Sequence, residues 1–432
     1  MEKTVLGIVV IAILALSACG PRSNGPDTGR APGEAVASDL ERVSSPEVSD
    51  ADMDALVEGN TAFALDLYQH LAEAEGDENF FYSPYSISLA LAMTYAGARG
   101  ETEQQMTDAL HYTLPQDRLH PVFNGLDQAL VSRGEGAEGK GDEGFRLNIA
   151  NAIWGQEDYT FLEAFLDTLA RNYGAGMRVL DFASAAEEAR VTINEWVSER
   201  TEGRIEELIP RGVIGPATRL VLTNAIYFNA AWAHPFQEGQ TSEGVFHLLD
   251  GGEVTVPMMQ QIASFGYAEG EGYEAVELPY DGNELSMVIM LPEAGGFADF
   301  EGALDAERIA SVVEGLERRE VALTMPRFEF DSGFSLNEAL KAMGMEDAFS
   351  EAADFSGMTG TRDLFISSVI HKAFVSVDEE GTEAAVATAV VMAEKAMPAE
   401  PVEFAVDRPF VFLIRDIETG AVLFVGRVVD PG

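Results

Sequence analysis

Hydrophobic and polar positions follow a helical period at the start of the ordered chain and a strand-like one near its end. Phe63, Leu67 and Leu71 recur at every fourth position with Ala64 and Tyr68 beside them, which predicts an amphipathic helix in a body starting near Met53. From Asn79 to Met93 the pattern predicts a short strand, a proline and a buried helix. Pro84 suits the helix entry, with Ser83 placed to cap it. Leu364 to Val377 reads as a long buried strand. Immediately after it, Thr382, Ala384, Val386, Thr388 and Val390 would share one strand face, and all are small or β-branched. Such a face fits between existing strands without large voids or clashes. Pro398 and Pro401 follow, and they oppose both a continuing helix and a central strand, so the stretch is expected to be an exposed loop. The alanines between Ala384 and Ala393 leave a short helix open. A loop patterned like a buried strand is unusual, because exposed strand-formers are normally suppressed.

The N-terminus has a different pattern. Lys3 precedes an apolar run from Val5 to Leu16, the length of a signal-peptide core and short for a membrane span. It ends in Leu16-Ser17-Ala18-Cys19-Gly20, which resembles a bacterial lipobox. That resemblance implies removal of residues 1–18 and a diacylglycerol on the Cys19 thiol, with Gly20 favouring the outer membrane where one exists. Cys19 is the only cysteine, so no intrachain disulfide can form despite export. Residues 19–52, rich in Pro, Gly, Ser, Asp and Glu, are expected to be a flexible tether. Residues 53–432 then form the folded domain.

Charge narrows the partners. With 73 acidic against 27 basic residues the formal net charge is −46, which excludes nucleic acid and anionic lipid surfaces as natural partners. Lysine is confined to Lys3, Lys140, Lys341, Lys372 and Lys395, a balance suited to salty surroundings. Hydrophobic content of 47% is ample for a large core. Catalytic and metal signatures fail. Gly134 to Gly141 spells a glycine-rich loop but lacks the strand-then-helix context, and Asp50-Ala51-Asp52-Met53-Asp54 lacks the glycine and glutamate of a calcium loop. No Gly-x-Ser-x-Gly or His-Glu-x-x-His occurs, and His70, His111, His120, His234, His247 and His371 are scattered. No enzyme activity, cofactor or metal is expected.

Glu379-Glu380-Gly381-Thr382-Glu383-Ala384-Ala385 resembles the reactive-loop hinge of the serpins, the strain-driven protease inhibitors. Five further stretches resemble serpin elements in order and spacing: Asn79 to Met93 with Ala96 to Thr102, Thr201 to Leu208, Leu222 to Trp232, Phe404 to Ile414 and Val422 to Pro431. The resemblance implies an α+β serpin fold with three β-sheets, eight or nine helices and a reactive loop over about 379–403. It implies a hinge of Glu379, Gly381, Thr382, Glu383, Ala384, Ala385, Val386, Ala387 and Thr388, in which Val386 departs from the commoner alanine or glycine. Ser83, Ser86, Asn224 and His371 match the polar cluster kept where the main sheet parts, and Trp232 the tryptophan at the insertion point. Family spacing puts the scissile bond fourteen residues beyond Gly381, at Lys395–Ala396. The implied partner is a serine protease, trypsin-like because of Lys395, held as a covalent acyl complex by a monomeric, exported and lipid-anchored inhibitor. A non-inhibitory serpin acting as chaperone or carrier is the alternative.

Overall fold

The computed structural model describes residues 33–133, 135, 146–382 and 400–432. Contacts divide the chain into Met1–Ala31 and Pro32–Gly432, and every described residue lies in the second unit. Its strands make two hydrogen-bonded sheets. The first has seven strands in the order β1 (Ala35–Val36), β4 (Met177–Leu180), β3 (Arg146–Gln156), β5 (Leu220–Ala231), β13 (Gly381–Thr382), β12 (Ile366–Val377) and β11 (Phe328–Ser335). The second runs β14 (Val402–Ala405), β10 (Glu317–Pro326), β7 (Glu253–Gly270), β8 (Tyr273–Pro279), β9 (Leu285–Pro292), β15 (Phe410–Asp416), β16 (Val422–Val428) and β2 (Phe80–Tyr82). A further strand, β6 (Ser242–His247), pairs with β7.

The fold is α+β, with ten α-helices among the described residues, slightly more than the eight or nine expected. Two of the three expected sheets are one continuous surface. The cause is β7, which pairs with β6 at its start, with β10 along its middle and with β8 at its end.

The first long helix, Asp50–Glu75, starts where Ser49 accepts a hydrogen bond from the Asp52 N–H at 3.2 Å. It buries Phe63, Leu67 and Leu71 as their spacing requires. Helix Pro84–Tyr95 is buried along its whole length, between β3 and β5 on one side and β16 on the other. Pro84 opens it, and Ser83 accepts from the Ser86 N–H at 3.2 Å.

Residues 33–49 depart from the flexible tether expected up to residue 52. Ala35 and Val36 pair antiparallel with Arg178 and Met177 and extend the first sheet. Arg42 reaches the helix Gln116–Val131, bonding Asp127 at 2.6 Å and the Asn124 side-chain oxygen at 2.7 Å. Gly125 lets the strap pass closely, since a Cβ there would stand 3.1 Å from Val48. Val36 and Val48 also pack against the core, but the hold is mostly backbone and polar contact, which a tether-like composition does not reveal.

Candidate functional site

At the middle of the first sheet, β5 and β12 are direct parallel neighbours from Leu220 and Ile366 to Tyr227 and Phe374. One row across it aligns Asn151 of β3, Asn224 of β5, His371 of β12 and Phe334 of β11. Asn224 uses its amide N–H groups on Asn151 Oδ1 at 2.5 Å and Ser86 Oγ at 2.6 Å. Its carbonyl faces His371 Nδ1. Because that partner is an acceptor, Nδ1 carries the proton, and Nε2 is left to accept the Ser83 N–H at 3.3 Å. Ser83 Oγ in turn donates to the Leu423 carbonyl at 2.7 Å. The N-terminus of helix Pro84–Tyr95 is thereby tied to both strands of the seam. His371 is fully buried with its ring neutral, and burial pushes its pKa down to about 3.

The four predicted cluster residues are therefore brought together. Asn151 was missed. Its signal was present, because Ile149, Asn151 and Ile153 share one strand face, and a polar residue on an otherwise apolar face needs a partner.

Above this row the two strands part, and β13 fills the opening. Gly381 and Thr382 pair antiparallel with Ala231 and Ala230 of β5, and Thr382 also faces Val377 of β12. The hinge thus already occupies the central position for two residues. A Cβ at Gly381 would stand 2.1 Å from the Ala230 carbonyl oxygen, so only glycine lets the chain come this close. Thr382 is buried, its hydroxyl 2.9 Å from that of Tyr280. The Tyr280 ring lies flat on Trp232, centroids 4.7 Å apart and planes 9° from parallel. Burial raises the Tyr280 pKa well above its ordinary value, keeping the phenol a neutral partner.

Trp232 anchors the approach to the hinge twice. Its backbone N–H donates to the Glu380 carbonyl at 2.8 Å, and its indole Nε1–H to the Asp378 carbonyl at 3.0 Å. Asp378 closes the turn, accepting the N–H groups of Glu380 and Gly381 at 2.9 and 3.2 Å. Burial holds the Asp378 carboxyl above its usual range. Glu379 is buried beside Arg327 and Thr241. Burial alone would raise its pKa, but the hydrogen bonds from Arg327 and Thr241 outweigh it and leave the group below the ordinary carboxylate value. Tyr280, Asp378, Arg327 and Thr241 had no sequence signal, since three of them are brought in from distant elements.

Glu383, Ala384, Ala385, Val386, Ala387, Thr388, Lys395 and Ala396 lie outside the described residues, as does Cys19. Among the described residues no group of three or more His, Cys, Asp or Glu is placed to hold a metal ion.

The family model for serpins, serine protease inhibitors, matches residues 58–431. This chain belongs to the serpin family. It is 42% identical over 389 residues to the leukocyte elastase inhibitor of Sus scrofa, covering 88% of this chain and all of that serpin. An uncharacterised serpin-like protein of Thermococcus kodakarensis is 38% identical over 440 residues, covering 100% of this chain and 99% of the relative. Among solved serpins, the thermophilic tengpin in its native state superposes with a TM-score of 0.81 at 28% identity, over 93% of this chain and all of tengpin. Uncleaved ovalbumin gives 0.77 at 28% identity, over 87% of this chain and all of ovalbumin. In this serpin Gly381 and Thr382 are seated in the main sheet and the Asn224–His371 row is closed.

Proposed function

We propose that this serpin inhibits serine proteases as a suicide substrate and that its targets are trypsin-like. The observation that carries the reading is the placement of Gly381 and Thr382 between β5 and β12 in a defined register. Continuing that register along β5 sets Ala384 beside Phe228, Val386 beside Ile226, Thr388 beside Asn224 and Val390 beside Leu222. Counted from β12, the same Thr388 falls beside His371. Both neighbours agree, so the hydroxyl in the middle of the inserting face would meet the Asn224–His371 row, the polar pair on that face of the seam.

The driving force follows from strand direction. β5 and β12 are parallel, and a strand entering from Thr382 runs antiparallel to both, so one parallel ladder is exchanged for two antiparallel ones. At about 1 kcal/mol net per ladder hydrogen bond, the exchange is worth on the order of 10 kcal/mol, similar to the whole stability of a folded domain. That suffices to deform a protease attached to the moving end.

The protease serine oxygen attacks the Lys395 carbonyl, the C–N bond to Ala396 breaks, and the amine leaves with a proton from the protease histidine. The ester that remains joins Lys395 to the enzyme. Residue 392 falls beside Leu220, the first residue of β5, so Lys395 passes the far end of the sheet. The fourteen residues from Thr382 to Lys395 span roughly 45 Å as a strand. A protease carried that far is held against the opposite pole, and hydrolysis of its ester stalls. Lys395 is the only basic residue between Lys372 and Arg408 and suits a primary pocket with a buried carboxylate. Cys19 fastens the inhibitor to the cell envelope through its acyl chains.

Mixing the chain with trypsin-, chymotrypsin- and elastase-like proteases tests this. SDS-stable complexes with trypsin-like enzymes and a new N-terminus at Ala396 are expected, and Lys395→Glu should abolish them with the fold intact. Cleavage after Met392 or Met397 would move the specificity toward chymotrypsin- or elastase-like targets. Cleavage without complexes favours the chaperone or carrier reading. Cys19→Ala should move the protein out of the membrane fraction, and a wild type already wholly soluble would end the anchoring claim.

A further inference from the structure

Away from the seam, a cleft of about 650 Å³ opens between the strap 33–42, β3, helix Glu163–Tyr173 and helix Phe182–Arg200. Its floor is apolar, with Leu89, Met93, Ile149 and Ile153. Its charged lining is uneven. Arg42 and Asp127 neutralise one another at 2.6 Å, and Glu41 is exposed at the edge. Arg178 and Arg200 also line it; Arg178 gives one N–H to the Gly33 carbonyl at 2.6 Å, and neither is paired with a carboxylate among the described residues. Both stand over the ring of Trp196, with guanidinium carbons 4.8 and 5.3 Å from its centroid. Burial, and then the charge of Arg200, lowers the pKa of Arg178. The neighbouring Trp154 indole N–H donates to Thr223 at 2.9 Å. Two arginines lining one cleft without a carboxylate partner are out of place in a chain with 73 acidic residues.

We propose that this cleft binds a small amphipathic anion, a carboxylate head on an apolar chain. The two guanidinium groups hold the carboxylate, and Leu89, Met93, Ile149 and Ile153 cover the chain. The volume suits a ligand of fatty-acid size. Arginine is the side chain whose planar fork matches a carboxylate, and it stays charged when partly buried. The strap supplies one wall through Ala35, Ala37 and Leu40, so an occupant also fastens the strap to the body.

Two of the three tryptophans, Trp154 and Trp196, lie together here with ring centroids 5.5 Å apart and report on occupancy. The full chain is titrated with laurate, dodecanol and dodecylammonium below their micelle-forming concentrations while tryptophan emission is followed. A saturable change with laurate alone is expected. Arg200→Gln should weaken laurate about tenfold, the worth of one charge-assisted hydrogen bond, and Arg178→Gln/Arg200→Gln should abolish the response. Arg200 is exposed, so its single variant keeps the test sound should the double variant fold poorly. Absence of a laurate response, equal binding of dodecanol, or undiminished affinity in Arg200→Gln overturns the proposal.

Discussion

Asn224 and His371 face one another across the parallel seam between β5 and β12, and the Asn224 carbonyl accepts the His371 Nδ1 proton. On the proposed mechanism, this contact closes the sheet where the loop would pass as a strand. A hydroxyl placed between the two can satisfy both groups again, accepting from Nδ1 and donating to the carbonyl. A methyl in its place can do neither.

Thr388→Val therefore keeps the shape of the inserting strand but leaves a buried donor and acceptor unmet, at about 1–3 kcal/mol. The fraction of encounters ending in stable complex should fall about tenfold, with more inhibitor released as cleaved product. Thr388→Ser should restore the wild-type partition. Gel densitometry of complex against cleaved chain reads both, and an unchanged Thr388→Val partition would remove the hydroxyl from the mechanism.

Thr382 is buried against the Tyr280 hydroxyl, so Thr382→Arg brings a charge into a buried position. The hinge should be expelled and the chain cleaved as an ordinary substrate. Gly381→Ala should act the same way through its clash with the Ala230 carbonyl. Inhibition that survives Thr382→Arg unchanged would show that insertion is not the mechanism.

Trp232→Phe retains an aromatic ring for Tyr280 to lie on but leaves the buried Asp378 carbonyl without its indole donor. A loss of about 1 kcal/mol is expected. Denaturant unfolding of the variant measures it directly, and hydrogen exchange at Glu380 and Gly381 should quicken.

Two buried imidazoles give the stability of this protein an acid limb. His371 and His120 ordinarily take a proton near 6.5, but in the fold burial lowers them to about 3 and about 4. Below pH 6.5 the unfolded chain binds these protons first, so their effect is absent above that value and destabilises progressively down to the folded pKa values. Each contributes a slope of up to about 1.4 kcal/mol per pH unit. His371→Gln should flatten the limb between pH 6.5 and 3 relative to wild type, measured by urea midpoints across that range. An identical slope in the variant would show that His371 does not stay neutral there.

The parts legible in the sequence were those in which one segment carries its own pattern. The four-residue spacing of Phe63, Leu67 and Leu71 and the Ser83–Pro84 helix entry each announce their structure locally. Ser83, Ser86, Asn224 and His371 were legible only as a set, through family resemblance, since no spacing connects residues so far apart. The strap was illegible because ladder bonds to Met177 and Arg178, polar contacts such as Arg42–Asp127, and the isolated apolar contacts of Val36 and Val48 leave no periodic apolar face to read. Tyr280 and Arg327 escaped for a related reason. Nothing near them in sequence marks the hinge they support.

The register set by Gly381 and Thr382 turns the number of residues in the loop into a ruler. If the loop inserts as proposed, a single residue added between Thr382 and Lys395 would rotate every later side chain to the other face, carrying Thr388 off the Asn224 row and altering where a captured protease comes to rest. Exchanging the side chain at 395 leaves that measure untouched. A lineage of such inhibitors can thus change its prey by substitution, whereas insertion or deletion would disarm the trap.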